Sequence, residues 1–158
     1  MVDEGHLSLA AAAALLGVSE RTVRRRLVEG VLQGASGGSG RAKSVVALAS
    51  LKPYLAFAVT EAEGTLLVQA DAGQAEAQVD LALWLLAKDQ APCAVYWLQR
   101  AASQESADAM HVLSECYLQG QGVAVDQNRA LLWLAHAAVL GHPIAQAQVQ
   151  GMRFDQVV

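Results

Sequence analysis

Three marks in this chain recur at one distance: Trp97 and Trp133, Ala101-Ala102 and Ala137-Ala138, and Ala109 and Ala145 all stand 36 residues apart. A shared period in the range of 20 to 50 residues, built from helix pairs, implies a stacked array in which no repeat buries its own apolar face alone. Residues 117–141 show the unit in full. Gly120 and Gly122 can take the positive φ angles that end a helix, which leaves Val123 free to turn inward. Asp126 is suited to cap a new helix, by accepting from its free amides and by placing charge at its positive end. Ala130, Trp133, Leu134, Ala137 and Ala138 then fall on one helical face. The alanines let a neighbouring helix come close while Trp133 fills the gap beside them. Gly141 ends this helix, and Pro143 fits the first turn of the next.

Ala109, Leu113, Tyr117, Gly120, Gly122, Val123, Asp126, Ala130, Trp133, Ala137 and Ala138 together resemble the Sel-like subclass of tetratricopeptide-type repeats, over about the second half of the chain. The preceding repeat keeps Ala77, Leu81, Ala94, Trp97 and Ala101-Ala102 but has no Gly-x-Gly-Val loop, and Lys88 to Pro92 makes a shorter turn. Ala77 to Trp97 spans 20 residues against 24 for Ala109 to Trp133, so four are absent. The shared 36-residue register with the paired alanines implies equivalent wedge roles for Trp97 and Trp133. The last repeat has only its first helix, from about 143 to 151, and residues 62–70 align loosely with a second helix. Ile144, Ala147 and Val149 therefore lack a following helix. They are expected to be covered by Met152, Phe154, Val157 and Val158 or by a second copy.

At the front, Leu7 to Leu16 reads as an alanine-rich helix with Ser8 as its cap. Gly17 supplies a tight turn, Val18 a plug between helices, and Ser19 the cap of a second helix running to Gly30. That is a helix-turn-helix, whose second helix can enter the major groove. Val23 and Leu27 should face the first helix, turning Arg21, Arg24 and Arg25 outward, where guanidinium groups can reach phosphates and guanine edges. Val31-Leu32-Gln33 and Arg41 to Val46, around the glycine-rich tip 34–40, are expected to pair as a β-hairpin with Arg41 and Lys43 near phosphates. A third helix from about 46 to 52 should stop before Pro53. Leu7 to Leu51 resembles the winged helix-turn-helix modules of the MerR and excisionase families. The resemblance rests on Ala12-Ala13, Leu15 to Ser19, Arg21 to Arg25, Leu27 and Glu29-Gly30, and it implies DNA binding.

Charge supports a division of labour. Residues 1–52 carry seven Lys/Arg and four Asp/Glu, net +3, whereas 53–158 carry four and eleven, net −7. A basic small module beside an acidic larger one puts any nucleic-acid contact at the front. The bland alternative for the arginines is a solvated helix face on a module that only caps the array.

Cys93 and Cys116 are the only cysteines and show no metal or disulfide spacing. His111 and Glu115 lie four apart as a helix-surface pair, and His136 and His142 flank a helix end, where a cation is favoured. Trp84, Trp97 and Trp133 read as core wedges. No nucleophile, base and oxyanion donors assemble, so no enzyme, catalytic residue, metal or cofactor is expected. Asp3 and Glu4 stand where a signal peptide needs positive charge, and no stretch is long enough to span a membrane. A cytoplasmic protein is expected.

The sequence thus implies a mainly α fold: a small winged helix-turn-helix (1–52), a connecting helical segment or N-terminal half-repeat (53–72), and a short α-solenoid of helix-hairpin repeats (73–158). The function expected is a DNA-binding transcriptional regulator. It would contact double-stranded DNA through Ser19, Arg21, Arg24, Arg25, Arg41 and Lys43, and a protein partner or a second copy through the array. The alternative is an adaptor that does not bind DNA and docks protein through the winged module.

Overall fold

The computed structural model describes residues 5–35 and 45–154. Arg41, Lys43 and the tip 36–40 lie outside the described residues, as do Val157 and Val158. Two compact units divide within one helix, the first ending at Ala77 and the second beginning at Gln78.

In the first unit the order is β1 (His6–Ser8), α1 (Leu9–Leu16), α2 (Glu20–Val28), β2 (Val45–Ala47), α3 (Leu48–Leu51) and α4 (Glu61–Asp71). The alanine run from 10 to 14 favours the helix α1, and Ser8 caps it by accepting from the Ala11 amide at 3.2 Å. β1 and β2 pair antiparallel with Leu7 opposite Val46, and both side chains are fully buried. The expected hairpin is seen only at its base, because most of its second strand, 41–44, lies outside the described residues. The main partner of β2 is the strand before α1, and the segment after α2 contributes one bridge, Gly34 to Val46. The third helix also ends differently: α3 passes into a 3₁₀ turn, Lys52–Tyr54, that carries Pro53 in its first turn, where its missing amide costs nothing.

α4 begins with a capping box between Thr60 and Glu63 and packs against β1. At its far end the Asp71 carboxylate accepts from the Ser8 backbone amide at 2.6 Å and the Ser8 hydroxyl at 2.7 Å. A carboxylate is unfavourable at a helix C-terminus, and here it serves the N-terminus of α1 instead. The core gathers Leu7, Ala12, Leu15, Val23, Leu32, Val46, Leu48, Leu51, Leu67 and Ala70.

The helices of the second unit are α5 (Ala75–Ala87), which begins in the first, α6 (Ala91–Ala102), α7 (Ala107–Gln119), α8 (Gln127–Val139) and α9 (Pro143–Phe154). Sequential neighbours α6, α7, α8 and α9 pack one on the next. Gly120 ends α7 at φ 71° and Gly122 repeats that angle. The Asp126 amide then returns to the Tyr117 carbonyl at 3.0 Å, and the Asp126 carboxylate accepts from the Arg129 amide at 3.0 Å as the cap of α8. A Cβ on Gly122 would collide with the Ala91 carbonyl, so the second glycine serves close backbone approach as well as the turn. Gly122→Ala is expected to cost about 2–3 kcal/mol, from a positive φ and forced backbone movement together. A urea titration of the variant measures it. In the shorter turn before α6, Asp89 takes the left-handed conformation at φ 57°.

Ala109, Ala130, Ala137 and Ala145 are buried, and Ala138 is half-buried. The two tryptophans differ: Trp97 is fully buried, whereas Trp133 is only half-buried. Equivalent wedge roles are therefore corrected. Among the described residues no helix follows α9, and α8 leaves Leu131, Leu132 and Val139 in solvent. Ile144 is 57% and Met152 47% exposed, so the described part of the tail does not cover Ile144.

The histidines also depart from expectation. His111 is buried rather than on the surface, stacks on His142 with ring centroids 4.4 Å apart, and meets Gln148 at 3.3 Å. His142 caps α9, its Nδ1 accepting from the Ala145 amide at 3.2 Å. That role leaves the proton on Nε2, which faces Asp108 at 3.4 Å. His142 thus works as a neutral acceptor at a helix N-terminus, where a cation is disfavoured.

Candidate nucleic-acid interface

The front of the chain places its basic side chains through three local choices. Gly17 takes φ 65° and closes α1, with the Val18 amide returning to the Ala13 carbonyl at 3.1 Å. Ser19 then caps α2, its hydroxyl accepting from the Thr22 amide at 3.2 Å. Val23 is fully buried against the first helix, while Leu27 is only half-buried. With that face fixed inward, Arg21, Arg24 and Arg25 are exposed. Arg26 is half-buried, and its carbonyl accepts from the amides of Val31 and Leu32 at 2.9 and 3.1 Å, which turns the chain away after α2.

Glu20 in the first turn and Arg25 and Arg26 in the last turn suit the helix dipole. Arg25 also meets Glu29 at 3.7 Å, an exposed pair that contributes little and leaves the guanidinium accessible. The result is a short, capped helix with one apolar face docked and the other presenting guanidinium groups to solvent. Such a face can contact phosphates and guanine edges. Of the expected contact residues, Ser19, Arg21, Arg24 and Arg25 share α2 and its cap; Arg41 and Lys43 lie outside the described residues. Val28 is 88% exposed on this same helix.

A second concave site occurs in the second unit. Gln99, Tyr117, Arg129, Leu132, Trp133 and His136 line a cleft of about 400 Å³. Arg129 lies over the Tyr117 ring at 5.7 Å and is held by Asp126 at 3.4 Å and the Tyr117 hydroxyl at 3.4 Å. Those partners, the Tyr117 hydrogen bond foremost, raise its pKa further above the usual guanidinium value. The half-buried indole of Trp133 meets the His136 ring edge-on at 6.1 Å. Tyr117 and Trp133, read from the sequence as structural marks of the repeat, thus line one opening, and Asp126 holds its Arg129.

The thiols offer no nucleophile. Burial pushes the Cys93 thiol up to about 12, with the Trp97 indole offsetting part of the rise, and burial followed by the Glu115 charge raises Cys116. Among the described residues no three His, Cys, Asp or Glu side chains converge to hold a metal ion, and no helix is long and apolar enough to cross a membrane.

Comparison with known proteins agrees with this division. Residues 1–45 match the DeoR-like helix-turn-helix domain family. The expected MerR or excisionase class finds no such support. The helix, Gly-Val-Ser turn and basic helix are common to many helix-turn-helix modules, and the wing that would mark the narrower class is a single bridge among the described residues. The fold is also similar to the crystal structure of a Sel1 repeat protein from Oxalobacter formigenes, at 27% identity and a TM-score of 0.53. That similarity covers 67% of this chain and 33% of the other, so the chain spans about a third of the length of that relative. No curated protein matches the sequence. The chain therefore combines an N-terminal helix-turn-helix segment that matches the DeoR-like domain model with a helical-repeat region similar to a Sel1 repeat protein.

Proposed function

We propose that this protein is a DNA-binding transcriptional regulator, acting in the cytoplasm, whose repeat region engages a protein partner or a second copy. The observation that carries the reading is the orientation of α2: its buried Val23 turns Arg21, Arg24 and Arg25 outward within the segment matching the DeoR-like domain. One such module makes few base contacts, so two copies on a two-fold related site are expected. Val139, Ile144 and Met152 expose apolar surface of the kind that pairs proteins, and they lie in the repeat region.

Arg24→Ala, measured by fluorescence polarisation on a duplex selected from a randomised pool, is expected to lose about 1–3 kcal/mol and to relax preference at one base pair. Lys43→Ala is expected to weaken all sequences alike. If wild type and Arg24→Ala bind every duplex equally, α2 does not read DNA. A folded protein that binds no duplex would place the winged module in the adaptor role.

A further inference from the structure

Val28 has the highest exposure among the large apolar side chains described, at 88%. A single exposed valine is ordinary on a protein surface; its setting here is not. At about 100° of rotation per residue, Arg24, Val28, Arg21 and Arg25 follow one another around a stripe about 100° wide. Val28 thus lies inside the guanidinium face, on the side of α2 opposite buried Val23. Its backbone lies at the end of α2, with Glu29 as the C-cap, so the side chain projects from a fixed helix.

A branched apolar side chain among arginines can contribute where a base edge is itself apolar. In the major groove that edge is the thymine 5-methyl group. We infer that Val28 is a specificity-determining residue that contacts a thymine methyl in the bound site; this rests on the DNA-binding reading above. Val28 lies one turn beyond Arg24, about 6 Å along the helix axis, and base pairs stack about 3.4 Å apart. The preferred thymine should therefore fall within about two base pairs of the guanine read by Arg24. The arginines supply affinity and the guanine contact, while Val28 discriminates thymine from cytosine, which lacks the methyl.

The test uses the full chain and a duplex selected from a randomised pool, with each thymine in turn replaced by deoxyuridine, which removes only the methyl. Wild type should lose about three- to fivefold in affinity at one position per half-site. Val28→Ala, which removes both γ-methyls, should bind thymine and deoxyuridine equally at that position, and Val28→Thr, which keeps one γ-methyl, should restore most of the sensitivity. The side chain is exposed, so neither substitution disturbs the core, and circular dichroism verifies the fold of each variant. Equal affinity for thymine and deoxyuridine at every position, or unchanged discrimination in Val28→Ala, overturns the inference while leaving DNA binding in place. Absence of salt-dependent binding to any duplex overturns both.

Discussion

Trp97→Ala is expected to destabilise the repeat region by about 3–5 kcal/mol, as truncation of a fully enclosed aromatic side chain does. Trp97 is completely buried, makes an edge contact with Tyr96 at 5.0 Å between ring centroids, and has the Arg100 guanidinium over its ring at 5.5 Å. The indole Nε1 makes no hydrogen bond of standard geometry, so size rather than polarity sets the cost. Trp97→Phe, which keeps an aromatic ring and leaves a smaller cavity, should therefore cost less, about 1–2 kcal/mol. Trp133, at the same position of the next repeat, is only half-buried, and Trp133→Ala should cost about 1–2 kcal/mol. Urea titrations followed by circular dichroism compare the three variants. Equal losses for Trp97→Ala and Trp133→Ala would contradict the difference in burial, and no loss for Trp97→Ala would contradict the stacked array.

What was legible in the sequence was whatever a residue decides for itself. Gly120, Gly122 and Gly141 all take positive φ, Ser8, Ser19 and Asp126 all cap helices, and the 36-residue spacing marks equivalent places in successive hairpins. What was not legible depends on partners distant in sequence. The Ser8 to Asp71 contact joins residues 63 apart, and no local pattern announces it. The pairing of β2 with β1, beside its bridge to the segment after α2, was missed because β1 is only three residues long and was absorbed into the apolar start of α1. The periodicity assigned Trp133 its place in the repeat but not its cover, which belongs to a neighbouring helix. His142 was read by charge, whereas the ring nitrogen that caps α9 must be neutral to accept.

The outward arginines were legible because Ser19 and Val23 fix the helix phase between them. Val28 was not, because a period of apolar residues identifies an inward face and gives no reason for valine on the outward one. The Arg129 cleft also escaped notice: Tyr117 and Arg129 sit on different helices and are brought together by the loop that the two glycines shape.

The central claim, that the front module binds duplex DNA through its guanidinium face, predicts a steep dependence on salt. Four to six phosphates neutralised per copy, with Arg41 and Lys43 contributing, imply that log K falls with log salt at a slope of about −4 to −5. Between 50 and 200 mM salt the affinity should drop by about 250- to 1,000-fold. The acidic remainder of the chain, net −7 beyond residue 52, opposes any non-specific attraction and makes the front module the source of such a slope. Polarisation of a labelled duplex across that salt range, with intact protein and with the triple variant Arg21→Ala, Arg24→Ala, Arg25→Ala, measures it directly. A slope near −4 to −5 that flattens by about 2–3 in the variant is the predicted result; a folded protein with no salt-dependent binding, or the same slope in both proteins, would contradict it.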